Sequence, residues 1–217
     1  REDWHGGRGN ISACHRRDQP TIFQASVWLM SGGGWGLWGT WEETEACLDQ
    51  VVGQWQGPDP VERGSIRRWL EPKEFDCAIH TDAEAARVAG FDDVVAPASM
   101  VFTYGVAPYW SAGDAPQNID DEPTQIQIPV IFNVPAPCNK SFATSMEIIF
   151  EQPLYLGDVV TCTSRLTDIQ RKTLKVGPGA FLRQEDTYTK QTGELVAVAT
   201  LDIFRFYVGD GEGAHDE

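Results

Sequence analysis

The stretch FDCAIHTDAEAAR, residues 75–87, carries His80, the one histidine between Ala46 and Tyr207. Asp76 lies four residues before it. Imidazole exchanges protons near neutral pH, and a carboxylate beside it can orient a shared water, so the pair is a candidate for acid–base chemistry. The other histidines, His5, His15 and His215, fall in the terminal segments. No second histidine is therefore at hand to turn Ser99 into the nucleophile of a Ser–His–Asp set. The five cysteines, Cys14, Cys47, Cys77, Cys138 and Cys162, are scattered without a CxxC pair. With a single internal histidine, no metal site is expected, and reduced thiols in a cytoplasmic protein are.

The elements that must position His80 can be read around it. Glu42 to Trp55 (EETEACLDQVVGQW) predicts a short helix, broken by GPDP. VERGSIRRWLEP, residues 61–72, places Val61, Ile66, Trp69 and Leu70 at helical spacing, and Pro72 closes it. His80 then sits in a loop. Thr81 or Asp82 caps a short helix, AEAARVAG, that stops at Gly90. VVAPASMVFTYGVAPYW follows, with Pro97 in the first turn of a helix that is apolar nearly all round and hence buried. Residues 111–140 form a long proline-containing connection, a lid or a partner-binding segment, whose apolar part 129–137 could line a tunnel or cover a partner.

From Ser141 the period changes to two. SFATSMEIIFEQP, DVVTCTSRLTDIQRK, GAFLRQEDTYTKQ and ELVAVATLDIFRFYV predict four strands separated by turns. Phe150, Val159, Leu166, Phe181, Tyr188, Val196, Leu201 and Phe204 are the candidate inward positions. An antiparallel sheet wrapped around one apolar helix is an α+β arrangement and fits the hotdog fold. The domain is placed at 41–208, with a poorly ordered extension at 1–40 and an acidic, glycine-rich tail at 209–217. SGGGWG in the extension lacks the GKS/T and strand–helix context of a phosphate loop.

The net charge of −15 argues against nucleic acid, whose phosphates would be repelled. No apolar run approaches the ~18–20 residues needed to span a membrane, and no signal-peptide pattern is read at the start. Against that acidic background Arg165, Arg171, Lys172, Lys175 and Arg183 gather positive charge in one strand pair. They are candidate phosphate contacts or simply solubilising, edge-protecting charges.

Four stretches carry a family resemblance: PVERGSIRRW, IHTDAEAARVAGFDDVVAPASM, EQPLYLGDVVTCTSRLTDIQRKT and VGPGAFLRQEDTYTKQTGELVAVAT. In that order and spacing they resemble the MaoC-like hydratase/dehydratase superfamily, in its FAS1-like (N-terminal) dehydratase branch. The resemblance covers about residues 48–208. It implies an acyl-CoA thioester as substrate, with no further cofactor, and addition of water to a trans-2-enoyl thioester or its removal from a 3-hydroxyacyl thioester. Catalytic relatives carry a D-x-N-P-[ILV]-H loop and hold the thioester oxygen on an amide at the start of the central helix.

Carried onto this chain, His80 matches the loop histidine, but Phe75 stands where the aspartate belongs and Asp76 is one residue out of register. Cys77 and Ala78 replace the Asn and Pro. Ala98 and Ser99 are the candidate oxyanion amides, or merely first-turn residues. The CoA phosphates would fall to Arg165, Arg171, Lys172, Lys175 and Arg183. The expectation is an enoyl-CoA hydratase subunit, one half of a two-hotdog unit whose catalytic pair lies wholly or partly on a second hotdog chain. The alternatives are a self-sufficient homodimer using His80 and Asp76, and a non-catalytic acyl-CoA-binding subunit.

Overall fold

The computed structural model describes residues 36–108, 112 and 128–209. Within them the two-residue period becomes the strands β2 (Lys140–Phe150), β3 (Val160–Leu174), β4 (Gly177–Lys190) and β5 (Leu195–Phe206). A fifth strand, β1 (Val51–Gln56), completes an antiparallel sheet of order β1-β3-β4-β5-β2. The expectations for 1–35, 109–111, 113–127 and 210–217 lie outside the described residues.

The predicted helix over 42–55 is corrected. Only α1 (Trp41–Ala46) is helical, opened by a capping box in which Thr40 accepts from the Glu43 amide and Glu43 accepts from the Thr40 amide. The chain reverses at Asp49, whose φ of 61° ends the helix, and the β-branched pair Val51-Val52 then joins β3. Local pattern cannot show this, because the pairing partner is more than a hundred residues away.

Helix α2 (Arg63–Leu70) runs as expected and continues as a 3₁₀ turn through Pro72. Helix α3 (Ala83–Val88) is capped by Asp82, whose carboxylate accepts from the Glu84 and Ala85 amides. It ends in a Schellman pair, Gly90 N–H to Arg87 O and Phe91 N–H to Ala86 O, with Gly90 at φ 94°. The central helix is shorter than its sequence suggests: a 3₁₀ turn (Ala98–Met100) leads into α4 (Val101–Tyr104), which stops at Gly105. The indole of Trp55 takes the Gly105 carbonyl, and a continued helix would need that acceptor. Gly57 lets β1 pass under this helix end. A Cβ there would sit 1.7 Å from the Tyr104 carbonyl oxygen. The described part of the long connection folds into α5 (Pro129–Phe132).

Two separate cores occupy the concave face. Met100, Val101 and Tyr104 pack with Ile66 and Leu70 of α2 against Val160, Cys162, Tyr188, Val196, Ala197 and Ala199. Val130, Ile131 and Val134 pack against Leu166, Ala180, Leu182 and Ile203. Between the cores the sheet is bent by a row of bulges, at Val51/Gly53, Leu166/Asp168 and Ala143/Ser145. Arg183 and Asp202, paired across β4 and β5, link the last two. An extra residue on one strand increases local twist, and three in line curl the sheet around the helices. This is the hotdog arrangement, α+β in class.

Strand phase and edge position correct several of the expected inward positions. Leu166, Tyr188 and Val196 are core residues. Val160, not Val159, is the buried residue at the start of β3. Phe150 is 44% exposed on the edge strand. Phe204 is buried, but strand alternation puts it on the face opposite Ile203 and Arg205, where its ring meets Phe142 and Phe181.

Candidate active site

His80 ends a 3₁₀ turn, Ala78–His80, closed by Thr81 N–H to Ala78 O at 3.0 Å. Asp82 N–H adds a second bond to the same carbonyl. The imidazole is 9% exposed, and its Nδ1 lies 2.8 Å from the Val95 carbonyl. A carbonyl can only accept, so Nδ1 carries the proton and Nε2 keeps its lone pair for accepting one. Val95 returns the contact through its own N–H to Ile79 O, so loop and histidine are held as a unit. Val95 also bridges Tyr155, and Ala96 N–H bonds Leu154 O, which ties the unit to the end of the sheet where β3 starts.

Among the described residues no carboxylate completes this arrangement. Phe75 fills the position of the pattern's aspartate, its ring centroid 5.8 Å from that of His80. Asp76 is exposed and makes no hydrogen bond to the imidazole. Asp82, the other nearby acid, is occupied as the cap of α3. The structure therefore brings together His80, Val95 and Phe75, and leaves Asp76 outside.

Ala98 and Ser99 are exposed at the first turn of the central helix, three and four residues after Val95. The first bond of that turn is Met100 N–H to Pro97 O, and the Ala98 and Ser99 amides have no partner among the described residues. Free N–H groups at a helix start are the donors an oxyanion would need.

The five cations do not converge. Arg183 makes a two-pronged pair with Asp202, at 2.7 and 3.0 Å, and that contact holds the Asp202 carboxyl below the usual carboxylate range. Arg165 donates to the Asp49 carbonyl at the start of β1. Arg171 lies over the Trp41 ring at 4.8 Å, Lys172 is its neighbour, and Lys175 is exposed in the β3–β4 turn.

Periodicity missed a buried polar ladder on the concave face. Asp186 accepts from Ser164 and, on both carboxylate oxygens, from Gln184 Nε2 at 2.8 and 2.9 Å, while Gln184 Oε1 accepts from the Val130 amide. Burial pushes the Asp186 carboxyl above its ordinary range, outweighing the donors that lower it. The neighbouring Cys162 thiol is pushed up to about 12 by burial and then by Asp186. The signal was present: Ser164 falls in phase with Val160, Cys162 and Leu166, at a position that must face inward. Lys190, 9% exposed, pairs with Asp158 at 3.2 Å beneath the Tyr155 turn. Among the described residues no His, Cys, Asp and Glu set comes together that could hold a metal ion.

Residues 50–199 match the family described as "FAS1-like, dehydratase domain region". A "Probable enoyl-CoA hydratase alpha subunit" of Thermomonospora curvata is 30% identical over 171 residues, which cover 76% of this chain and 52% of the relative. The chain thus spans about half the length of that curated relative. Among solved structures, the fold is similar to a chain of the ChsH1-ChsH2 complex from Mycobacterium tuberculosis, with a TM-score of 0.58 at 21% identity. That match covers 79% of this chain and 98% of the other. The fold is also similar to a monoamine oxidase regulatory protein from Archaeoglobus fulgidus, with a TM-score of 0.51 at 17% identity over 73% of this chain and 92% of the other.

Proposed function

The chain belongs to the FAS1-like dehydratase domain family, and on that premise we propose that it is one half of a two-hotdog enoyl-CoA hydratase whose complete carboxylate–histidine pair lies on a second hotdog chain. The observation that carries this reading is the loop itself: a histidine fixed by Val95, with Phe75 where a carboxylate would have to be. Hydration of a 2-enoyl thioester needs a base to take a proton from water as the oxygen bonds to C3. The electron pair moves through C2 to the thioester oxygen, and C2 is then protonated. One base can remove the proton, but a second group must hold the water in line, and the reach for either is only ~2.6–3.2 Å. Among the described residues of this chain no second group stands beside His80.

The sheet supports a partner. Among the described residues β2 pairs with β5 alone and leaves one side of its backbone unpaired, and Phe142, Met146, Ile149 and Phe150 on it are 42–55% exposed. An eleven-residue apolar edge of this kind is a pairing surface, and two similar subunits would join through it about a two-fold axis. The similarity to a hydratase alpha subunit and to a chain of a two-protein complex points the same way. In this unit the chain contributes pocket walls, and the free amides of Ala98 and Ser99 stand where a thioester carbonyl could be received.

A second reading is favoured by one observation. The His80 tautomer leaves Nε2 free, as a self-sufficient hydratase using Asp76 would require. Assaying crotonyl-CoA and longer 2-enoyl-CoAs separates the two. On the proposed reading the chain alone is inactive, a partner hotdog with an intact D-x-N-P-[ILV]-H loop restores turnover, and His80→Ala in the reconstituted pair changes kcat by less than about threefold. Loss of a true general base costs about 10²–10⁴-fold. Turnover by the chain alone that disappears in both His80→Ala and Asp76→Asn would instead establish the self-sufficient enzyme.

A further inference from the structure

The buried polar ladder stands where the two cores meet. On β3, Ser164 lies between Cys162 of one core and Leu166 of the other. On β4, Asp186 and Gln184 lie between Tyr188 and Leu182. Asp186 is 8% exposed, and Ser164 and Gln184 less. The hydrogen bonds lead out of this row toward α5. Gln184 holds the Asp186 carboxyl with its Nε2 and the Val130 amide with its Oε1. Val130 is the second residue of α5, so a single side chain joins the carboxyl to the first turn of that helix. The other polar ties of α5 bypass Asp186. Arg205 donates to the Val130 and Val134 carbonyls, Asn133 Nδ2 to the Val52 carbonyl, and the Leu37 amide to the Ile131 carbonyl.

Among the described residues no cation faces this carboxyl. β3 presents Ser164 and the Cys162 thiol, and β4 presents Gln184 and the Tyr188 phenol. β5 presents Ala199, paired with Asp186. β1 presents Gly53, paired with Ser164 and covered by the Pro129 ring of α5. From α4, Phe102 packs on Tyr188, and the Tyr104 phenol is engaged with Ser65. Arg165 and Glu185, paired across β3 and β4, lie on the opposite face, and the Glu185 charge raises the cost of a second anion. A neutral carboxyl is fully satisfied in this setting, because Ser164 can take its proton while Gln184 donates to the other oxygen. An ionised one is a buried charge without a counter-ion, and the neutral donors around it do not cancel its loss of water. The cover that can lift is the first turn of α5, four residues long and held from its other side by Arg205. The guanidinium stays charged throughout, its pKa pushed down only to about 10.

We propose that Asp186, Gln184 and Val130 form a proton-operated latch: a neutral carboxyl holds the first turn of α5 against the sheet, and ionisation of Asp186 releases that turn about the Arg205 clamp. Burial makes the closed form hold the Asp186 proton more tightly than an open, hydrated one. The latch is therefore fully set below the open-form pKa, near the ordinary ~4 of an aspartate. It is lost as pH rises through the higher closed-form value, and the loss then levels off. Release uncovers the apolar floor of Leu166 and Leu182, which Val130 and Ile131 cover in the closed form. None of these residues takes part in the hydration chemistry proposed above, so the latch stands or falls on its own.

The test is hydrogen–deuterium exchange of the purified chain, read by mass spectrometry from about pH 4 to about pH 8 and corrected for the intrinsic pH dependence of amide exchange. In wild type the protection of residues 129–134 is expected to fall roughly tenfold or more over this range, while residues 100–104 of the other core change by less than about threefold. Asp186→Asn, which cannot ionise, should hold 129–134 at one level of protection throughout. Gln184→Met, which cuts the relay and keeps the carboxyl, should leave 129–134 poorly protected at every pH. Constant protection of 129–134 in wild type would overturn the latch. So would a fall that persists in Asp186→Asn, or full protection in Gln184→Met. An equal fall in both segments would overturn it as well, because the Asp186 charge would then weaken the whole fold rather than release one turn. That last comparison is made within wild type, so it decides even where a variant does not fold.

Discussion

Replacing Arg205 by methionine tests what holds the α5 half of the molecule together. Arg205 is fully buried, faces no carboxylate, and donates instead to three carbonyls: Val130 at 3.0 Å, Val134, and Leu37 at 2.9 Å. Burial pushes its pKa down to about 10, and its Nε has no partner among the described residues. The bonds tie β5 to α5 and to the segment entering α1, the same segments that carry Val134 and Trp38. Removing the guanidinium strands the Val130 and Val134 carbonyls at about 1–3 kcal/mol each where they stay buried, while the Leu37 carbonyl keeps the Ala136 N–H. It also relieves the desolvation of an ion that costs several kcal/mol. Setting one against the other leaves a net loss of about 3 kcal/mol, a large part of the ~5–15 kcal/mol that stabilises a typical domain. At a urea m-value of about 2 kcal/mol/M the midpoint should fall by roughly 1.5 M. Arg205→Lys, which keeps the charge but reaches fewer carbonyls, should fall in between. A methionine variant as stable as wild type, or more stable, would refute the reasoning, because it would show that the carbonyls find other donors and that the clamp is dispensable.

Two further outcomes follow from the sheet. Asp186 has a folded-state pKa above its unfolded value, so the native state holds its proton more tightly and stability falls as pH rises from about 4 through that raised value, then levels off. Asp186→Asn should flatten this part of the profile in urea unfolding between pH 4 and pH 8, and an unchanged slope would assign the dependence to other groups. Met146→Glu together with Ile149→Glu places charge on the exposed edge strand. The pair should lower association with a hotdog partner at least tenfold by analytical ultracentrifugation while leaving the isolated chain's circular dichroism intact. Undiminished association would move the interface elsewhere.

The four long strands, the cap at Asp82, the stop at Gly90 and the place of His80 were all legible in the sequence, because each depends on residues within a few positions of one another. What escaped depended on distant partners. β1 reads as helix until residues 161–165 of β3 supply its hydrogen bonds. The central helix reads three residues too long until Trp55 takes the Gly105 carbonyl. Val159 and Phe204 fall out of phase with Leu166 and Leu201 on their own strands, so strict alternation along β3 and β5 puts them on the other face. At the site, sequence spacing showed that Asp76 was out of register. It could not show that Phe75 would lie against the imidazole or that Val95 would fix its tautomer. The cations illustrate the same limit: five residues adjacent in sequence pattern point to both faces of the sheet, and one of them is consumed by Asp202.

The row of bulges has a mechanical meaning. It divides one continuous sheet into two half-shells, each with its own apolar core and its own helix: α4 on one side, α5 on the other. The same three inner strands run through both, so the halves share a backbone but not a packing. Amide exchange should report them as two cooperative units, with protection changing along each strand at the bulge rather than between strands. A chain built in this way can loosen the half around α5 while the half around the histidine loop stays closed, so that opening one does not require the loop's hydrogen bonds to break.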